Sequence, residues 1–115
     1  MAAVTSEAMR AYGFVIDLET DSEGLVAKLE KGGYDLLVCD LWCRPAGARR
    51  LFPQVRKAFA AGALPFSVLI VGPEELRAEE FKWIYEQDLY FLIKTKDPEE
   101  WFHKITAILN RRCLP

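Results

Sequence analysis

The side chains able to do chemistry in this chain are few and scattered. Cys39 and Cys43 stand four apart and Cys113 lies near the end. That is not the CxxC spacing of a zinc site, and no second ligand pair exists, so reduced, non-catalytic thiols are expected. His103 is the single histidine; with no clustered ligand or nucleophile it reads as a solvated helix position. The adjacent acids Glu79-Glu80 and Glu99-Glu100 read as helix-surface residues, with no geometry for general acid–base work. Arg44, Arg49, Arg50, Arg56 and Lys57 form a local basic cluster. It reads first as a solvated face, next as a surface for an acidic protein and last as one for nucleic acid. No GxGxxG or Walker loop occurs. There remains Asp40, a carboxylate closing the nearly continuous apolar run Tyr34-Asp35-Leu36-Leu37-Val38-Cys39-Asp40.

Composition narrows the function classes further. At 115 residues, 51% apolar and 28% charged, the chain suits one folded domain spanning residues 1–115. Fifteen Lys and Arg against seventeen Asp and Glu give a net charge of −2, which argues against a general nucleic-acid binder. The longest apolar runs are far shorter than the about 20 residues that cross a bilayer. Residues 1–7 lack a basic segment followed by an apolar stretch, so no membrane role and a cytoplasmic setting are expected.

Elements that could position Asp40 emerge from the hydropathy pattern, in which strand-like and helix-like segments alternate. Residues 5–12 read as a short helix, capped by Thr5 or Ser6 and ended by Gly13. A strand is predicted over 14–19, then a helix from Asp21 or Ser22 to Gly32-Gly33. The run 34–40 suits a strand covered on both faces, as in a parallel sheet. A loop over 41–47 leads to a third helix ending near Gly62, in which Pro53 forms a kink or a first turn. A buried strand over 65–71 stops at Gly72-Pro73; a fourth helix spans 74–87 and a last strand 89–93. Asp97-Pro98-Glu99-Glu100 is a strong helix start, and the final helix buries Trp101, Ile105, Ile108 and Leu109. The order αβαβαβαβα with short connections implies a three-layer α/β sandwich with a parallel sheet.

In this order and spacing the segments resemble the receiver domain of bacterial two-component response regulators, with its flavodoxin-like fold. Residues 34–41 look like that family's third strand, 64–71 its fourth, and Leu89-Tyr90-Phe91-Leu92-Ile93-Lys94 its fifth. The resemblance implies that Asp40 is the phosphoacceptor equivalent, Lys94 the lysine that contacts the phosphoryl group, and Phe91 the aromatic switch. A carboxylate at the tip of a parallel strand lies where α/β sheets bind ligands, and a nearby ammonium neutralises charge on a transferred phosphoryl group.

The departures from the family weigh as much as the matches. The family's first strand ends in an acidic pair that holds Mg²⁺. Only 39 residues precede Asp40 here, and the first of them already read as helix, so that strand and its acids are missing. The hydroxyl residue expected after the fourth strand is Gly72, counting back from Lys94. Thr95 stands where the family has proline, and Pro45 comes one residue late. About four strands and five helices are therefore expected. In the family the first strand lies between the second and third. Its absence is expected to let 14–19 pair directly with 34–40, and to favour a homodimer through an edge or the face bearing Trp83.

These features lead to a non-enzymatic, pseudo-receiver protein-interaction module of a two-component phosphorelay system. It would need no cofactor, and its partners would be proteins such as a histidine kinase or an output protein. Two alternatives stay open: a receiver phosphorylated on Asp40 with Mg²⁺, and a small-molecule sensor using the same crevice. On the fourth helix, Phe81, Ile84 and Tyr85 are expected to face the sheet. Trp83 and Leu76 fall on the flank, as a contact surface or a half-buried edge.

Overall fold

The computed structural model describes residues 8–19, 22–41, 48–59 and 64–113. After a helical turn at 8–11 come α1 (Ser22–Lys31), β1 (Leu36–Asp40), α2 (Ala48–Ala58), β2 (Ser67–Gly72), α3 (Ala78–Glu86), β3 (Tyr90–Ile93) and α4 (Pro98–Cys113). The three strands form one parallel sheet in the order β1-β2-β3, with Leu36 opposite Ser67 and Leu69 opposite Tyr90. Parallel neighbours need a crossover between them, which α2 and α3 supply.

Two apolar layers enclose the sheet because its side chains alternate between faces. Leu37 and Cys39 of β1 and Val68 and Ile70 of β2 pack with Leu29, Phe52, Val55 and Ile84 from α1, α2 and α3. On the other face, Leu69 and Val71 meet Met9 and the α4 residues Trp101, Ile105 and Ile108. β2 is central, and its residues from Val68 to Val71 are at most 4% exposed. That burial on both faces explains its unbroken aliphatic sequence. The chain thus has the α/β sandwich expected from its sequence, with five helical segments among the described residues.

The sheet differs from expectation in one strand. Residues 14–19 join no ladder, so the sheet has three strands rather than four among the described residues. The Phe14 amide, which donates to the Met9 carbonyl (3.2 Å), and several side chains hold the segment instead. Arg10 donates to the Ile16 carbonyl (2.9 Å), the Tyr34 hydroxyl donates to the Asp17 carboxylate, and Lys28 pairs with Glu19 (3.2 Å). Phe14 and Ile16 pack against the α4-side core. These anchors keep the segment on α1 and the helical turn, and the expected direct pairing with β1 does not occur.

Helix boundaries follow their caps. α3 begins at Ala78, four residues later than the acids from Glu74 suggest, because the Glu80 carboxylate accepts the Arg77 amide (3.0 Å) and fixes the first turn there. Asp88 ends α3 in the left-handed region, φ 56°, a conformation a short polar side chain tolerates. α2 runs through Pro53 without ending. At α4 the expected start is present: Asp97 accepts the Glu99 amide (3.0 Å) and Pro98 opens the helix.

Candidate functional site

The carboxyl ends of all three strands converge on one rim. The Leu41 amide, just past β1, donates to the Val71 carbonyl (2.8 Å), and the Lys94 amide, just past β3, donates to the Gly72 carbonyl (2.8 Å). These two bonds extend the ladders by one residue and set the positions of the side chains beside them. The result brings Asp40 and Lys94, 54 residues apart in sequence, to a 3.2 Å ion pair. Asp40 is the more enclosed partner at 21% side-chain exposure, against 47% for Lys94. A pair so open to water contributes about 1 kcal/mol or less to stability. Its value is positional: an acceptor oxygen and a cation are held at a strand-end crevice.

Phe91 lies half-buried two residues before the end of β3, with its ring edge-on to Phe81 at 6.2 Å between centroids. Its Cε1 atom would be 3.0 Å from a β-carbon at Gly72, and Leu41 Cδ2 would be 3.4 Å away. The ring and the leucine therefore occupy the space that a side chain at position 72 would need. Glycine is what lets Phe91 lie over the end of β2, so no hydroxyl is present beside Asp40 at that position.

A ready-made carboxylate cluster for Mg²⁺ is absent among the described residues. Mg²⁺ favours near-octahedral oxygen coordination, usually with one or two carboxylates and several waters. Among the described residues no group of three or more His, Cys, Asp or Glu side chains could hold a metal. At the rim, Asp40 already faces the Lys94 ammonium.

Beyond the strand ends, the Tyr34 hydroxyl has a clear shift of acidity. Its hydrogen bond to the Asp17 carboxylate raises the hydroxyl pKa above the ordinary 10.0, with smaller contributions from desolvation and from the Asp17 charge. His103 is exposed and rests edge-on against Phe102. Cys39 is buried and reduced. Cys43, Arg44 and Pro45 lie outside the described residues. Arg49, Arg50, Arg56 and Lys57 are exposed, and Arg56 stacks over Phe52 at 5.2 Å.

α3 is rotated from the orientation its hydropathy suggested. Ile84 is buried as expected, but Phe81 (53% exposed) and Tyr85 (87%) face solvent. Trp83 is half-buried, edge-on to Phe52 at 6.0 Å, and Leu76 packs on the same core. The exposed aromatic surface is therefore formed by Phe81 and Tyr85, with Ile93 of β3 also exposed, rather than by Trp83 and Leu76. The hidden signal was Glu80, four residues before Ile84, whose buried capping role turns that side of the helix inward. A second surface feature was not foreseen: Lys104 and Arg111 of α4 both stand over the Tyr90 ring, at 6.0 and 5.9 Å. Their seven-residue spacing places them two turns apart on one helix face.

The sequence matches no family model and no curated protein. The structure is similar to the crystal structure of the signal receiver domain of a Luxo repressor protein from Vibrio parahaemolyticus. The TM-score is 0.78 at 14% sequence identity, over 96% of this chain and 82% of that one. The chain thus has a receiver-like fold.

Proposed function

We propose that this chain is a non-enzymatic, receiver-like interaction module of a bacterial two-component-type system. The observation that supports the reading is the Asp40–Lys94 ion pair at the strand ends, formed by the two residues that the sequence resemblance matches to a receiver's phosphoacceptor and lysine. The acceptor and the cation are there, whereas the hydroxyl position is Gly72 and the described residues form no carboxylate cluster for Mg²⁺. Phosphoryl transfer depends chiefly on positioning and charge neutralisation. With Lys94 beside Asp40 but no carboxylate cluster for Mg²⁺ among the described residues, transfer to Asp40 is slow on a signalling timescale, and the Asp40–Lys94 pair serves as a strand-end clamp. The working output is then protein binding, with a kinase or an output protein as partner. Phe81, Tyr85 and Ile93 offer the exposed apolar surface for such a partner or for a homodimer. No helix among the described residues is long and apolar enough to cross a membrane, and we place the module in the cytoplasm.

The same pair favours a second reading, in which Asp40 accepts a phosphoryl group when Mg²⁺ ligands come from another source. Incubation with acetyl phosphate and Mg²⁺, followed by intact-mass measurement, separates the two. The proposal expects an unmodified mass. A phosphoryl adduct that disappears in Asp40→Asn would establish the second reading.

A further inference from the structure

Between α4 and the first residue of β3 lies a cleft that the strand-end site does not use. Tyr90, Lys104, Ala107, Ile108 and Arg111 line it, and its volume is about 230 Å³. All five lie among the described residues. Tyr90 opens β3, so the cleft sits at the end of that strand away from Lys94 and Asp40. The Lys104 ammonium stands 6.0 Å and the Arg111 guanidinium 5.9 Å from the centre of the Tyr90 ring. The two residues are seven apart in sequence, about 10 Å along the helix axis, yet both side chains reach the same ring. Two like charges are thus brought to one place.

Neither cation has an acidic partner among the described residues. Glu100 precedes Lys104 by four residues, the spacing at which helix ion pairs form. The ion pairs instead join Lys28 to Glu19, Arg77 to Glu79, Lys82 to Glu86 and Lys94 to Asp40. Four residues before Arg111 stands Ala107. Attraction to the ring face offsets part of the repulsion between the two cations, and an anion between them removes it. A carboxylate brings one charge to that place. A phosphate monoester brings about 1.5 to 2 at neutral pH, with three acceptor oxygens. It also suits a guanidinium as a bidentate partner and an ammonium as a point charge. The Tyr90 ring, Ala107 and Ile108 leave an apolar wall for the rest of the ligand. The volume falls below the roughly 300–1,000 Å³ of drug-sized sites, so the ligand is compact. The chain's own acids match this place poorly. Glu7 and Asp21, outside the described residues, carry one carboxylate each. Glu99 and Glu100 are neighbours on α4, where adjacent side chains do not face each other, and Asp97 is engaged by the Glu99 amide.

We propose that this cleft binds a compact organic phosphate monoester, its phosphoryl group between Lys104 and Arg111 and its organic part against Tyr90 and Ala107. The site is separate from Asp40 and goes beyond the reading of the chain as an interaction module. Binding here forms no covalent bond, so the mass measured after acetyl phosphate treatment does not bear on it.

The test titrates the full ¹⁵N-labelled chain with phenyl phosphate at fixed ionic strength and follows amide chemical shifts. Saturable shifts are expected at Tyr90 and from Lys104 to Arg111, with Arg49 to Lys57 on α2 unchanged. Benzoate keeps the ring but carries one charge, and should bind about tenfold more weakly. Lys104→Met and Arg111→Met keep an apolar stem, and each should weaken phenyl phosphate binding by about tenfold. Arg56→Met should leave it unchanged. The benzoate comparison needs no variant and keeps the test decisive if one fails to fold. No saturable shift at millimolar phenyl phosphate, equal binding of benzoate or inorganic phosphate, undiminished binding by either methionine variant, or shifts on α2 instead would overturn the inference. A phosphoserine peptide that binds the same residues more tightly than phenyl phosphate would overturn it in favour of a phosphorylated partner protein. Concentration-dependent shifts at Lys104 to Arg111 without ligand would overturn it by making a second copy the occupant. A gain in affinity with Glu7→Gln or Asp21→Asn would do so by placing a carboxylate of the chain in the cleft.

Discussion

Replacing Gly72 by threonine puts the packing at the strand-end rim to a direct test. A β-carbon there meets Phe91 Cε1 at 3.0 Å, Leu41 Cδ2 at 3.4 Å and Leu41 Cβ at 3.5 Å. The first distance is closer than ordinary van der Waals contact, and threonine adds two branch atoms beyond it. Leu41 is 3% exposed and has little room to move, whereas the half-buried Phe91 ring can swing outwards. Overpacking of this kind costs about 1–3 kcal/mol. Replacing glycine in a strand recovers up to about 1 kcal/mol by restricting the unfolded chain. The net expectation is a destabilisation of about 1–2 kcal/mol, seen as a fall in Tm of roughly 4–8 °C for a domain of this size. Urea titration followed by tryptophan fluorescence and far-UV circular dichroism measures it. In a Phe91→Ala background the main obstruction is gone, so Gly72→Thr should cost close to nothing, giving a coupling of about 1 kcal/mol or more across the cycle. An equal cost of Gly72→Thr in both backgrounds would refute the claim that the Phe91 ring occupies the space at position 72.

Four further outcomes are expected. Asp40→Asn should lower stability by about 1 kcal/mol or less, since Lys94 is half exposed. Added Mg²⁺ should leave the Tm of the parent chain unchanged; a metal-dependent rise of several degrees would show a cation site on the folded chain. On α3, Ile84→Ala should cost about 2–4 kcal/mol because Ile84 is 5% exposed, while Tyr85→Ala at 87% exposure should stay within about 0.5 kcal/mol; chemical denaturation of both variants distinguishes this helix orientation from the reverse. The Tyr34 hydroxyl has a folded-state pKa above 10.0, so the folded state holds that proton more tightly than the unfolded one. Its contribution to stability is complete below about pH 10 and is lost as pH rises through the raised value. Tyr34→Phe should remove that alkaline loss, and absorbance titration at 295 nm should show the disappearance of one late-ionising tyrosine.

The sequence by itself determined the α/β sandwich, because its evidence is local. The run Val68-Leu69-Ile70-Val71 has no polar residue with which to face water, so it had to be a central strand covered on both faces. The start of α4 was equally legible, since Asp97, Pro98 and Glu99 hold their capping roles within three residues of chain. Spacing also brought Asp40 and Lys94 to the ends of their strands, and parallel strands place such ends on one rim. Tertiary structure decided what depends on partners distant in sequence. The 14–19 segment has a strand-like pattern, but a strand exists only when a neighbour supplies its ladder. Arg10, Lys28 and Tyr34 hold this one elsewhere. The face that α3 turns inward was likewise undecidable from periodicity, because Ile84 belongs to two plausible stripes. The Phe52 ring that receives Trp83, and the Arg77 amide that draws Glu80 into the first turn, chose between them. The meaning of Gly72 also came only from the fold, for the atoms that exclude a side chain there belong to Phe91 and Leu41, 19 and 31 residues away along the chain.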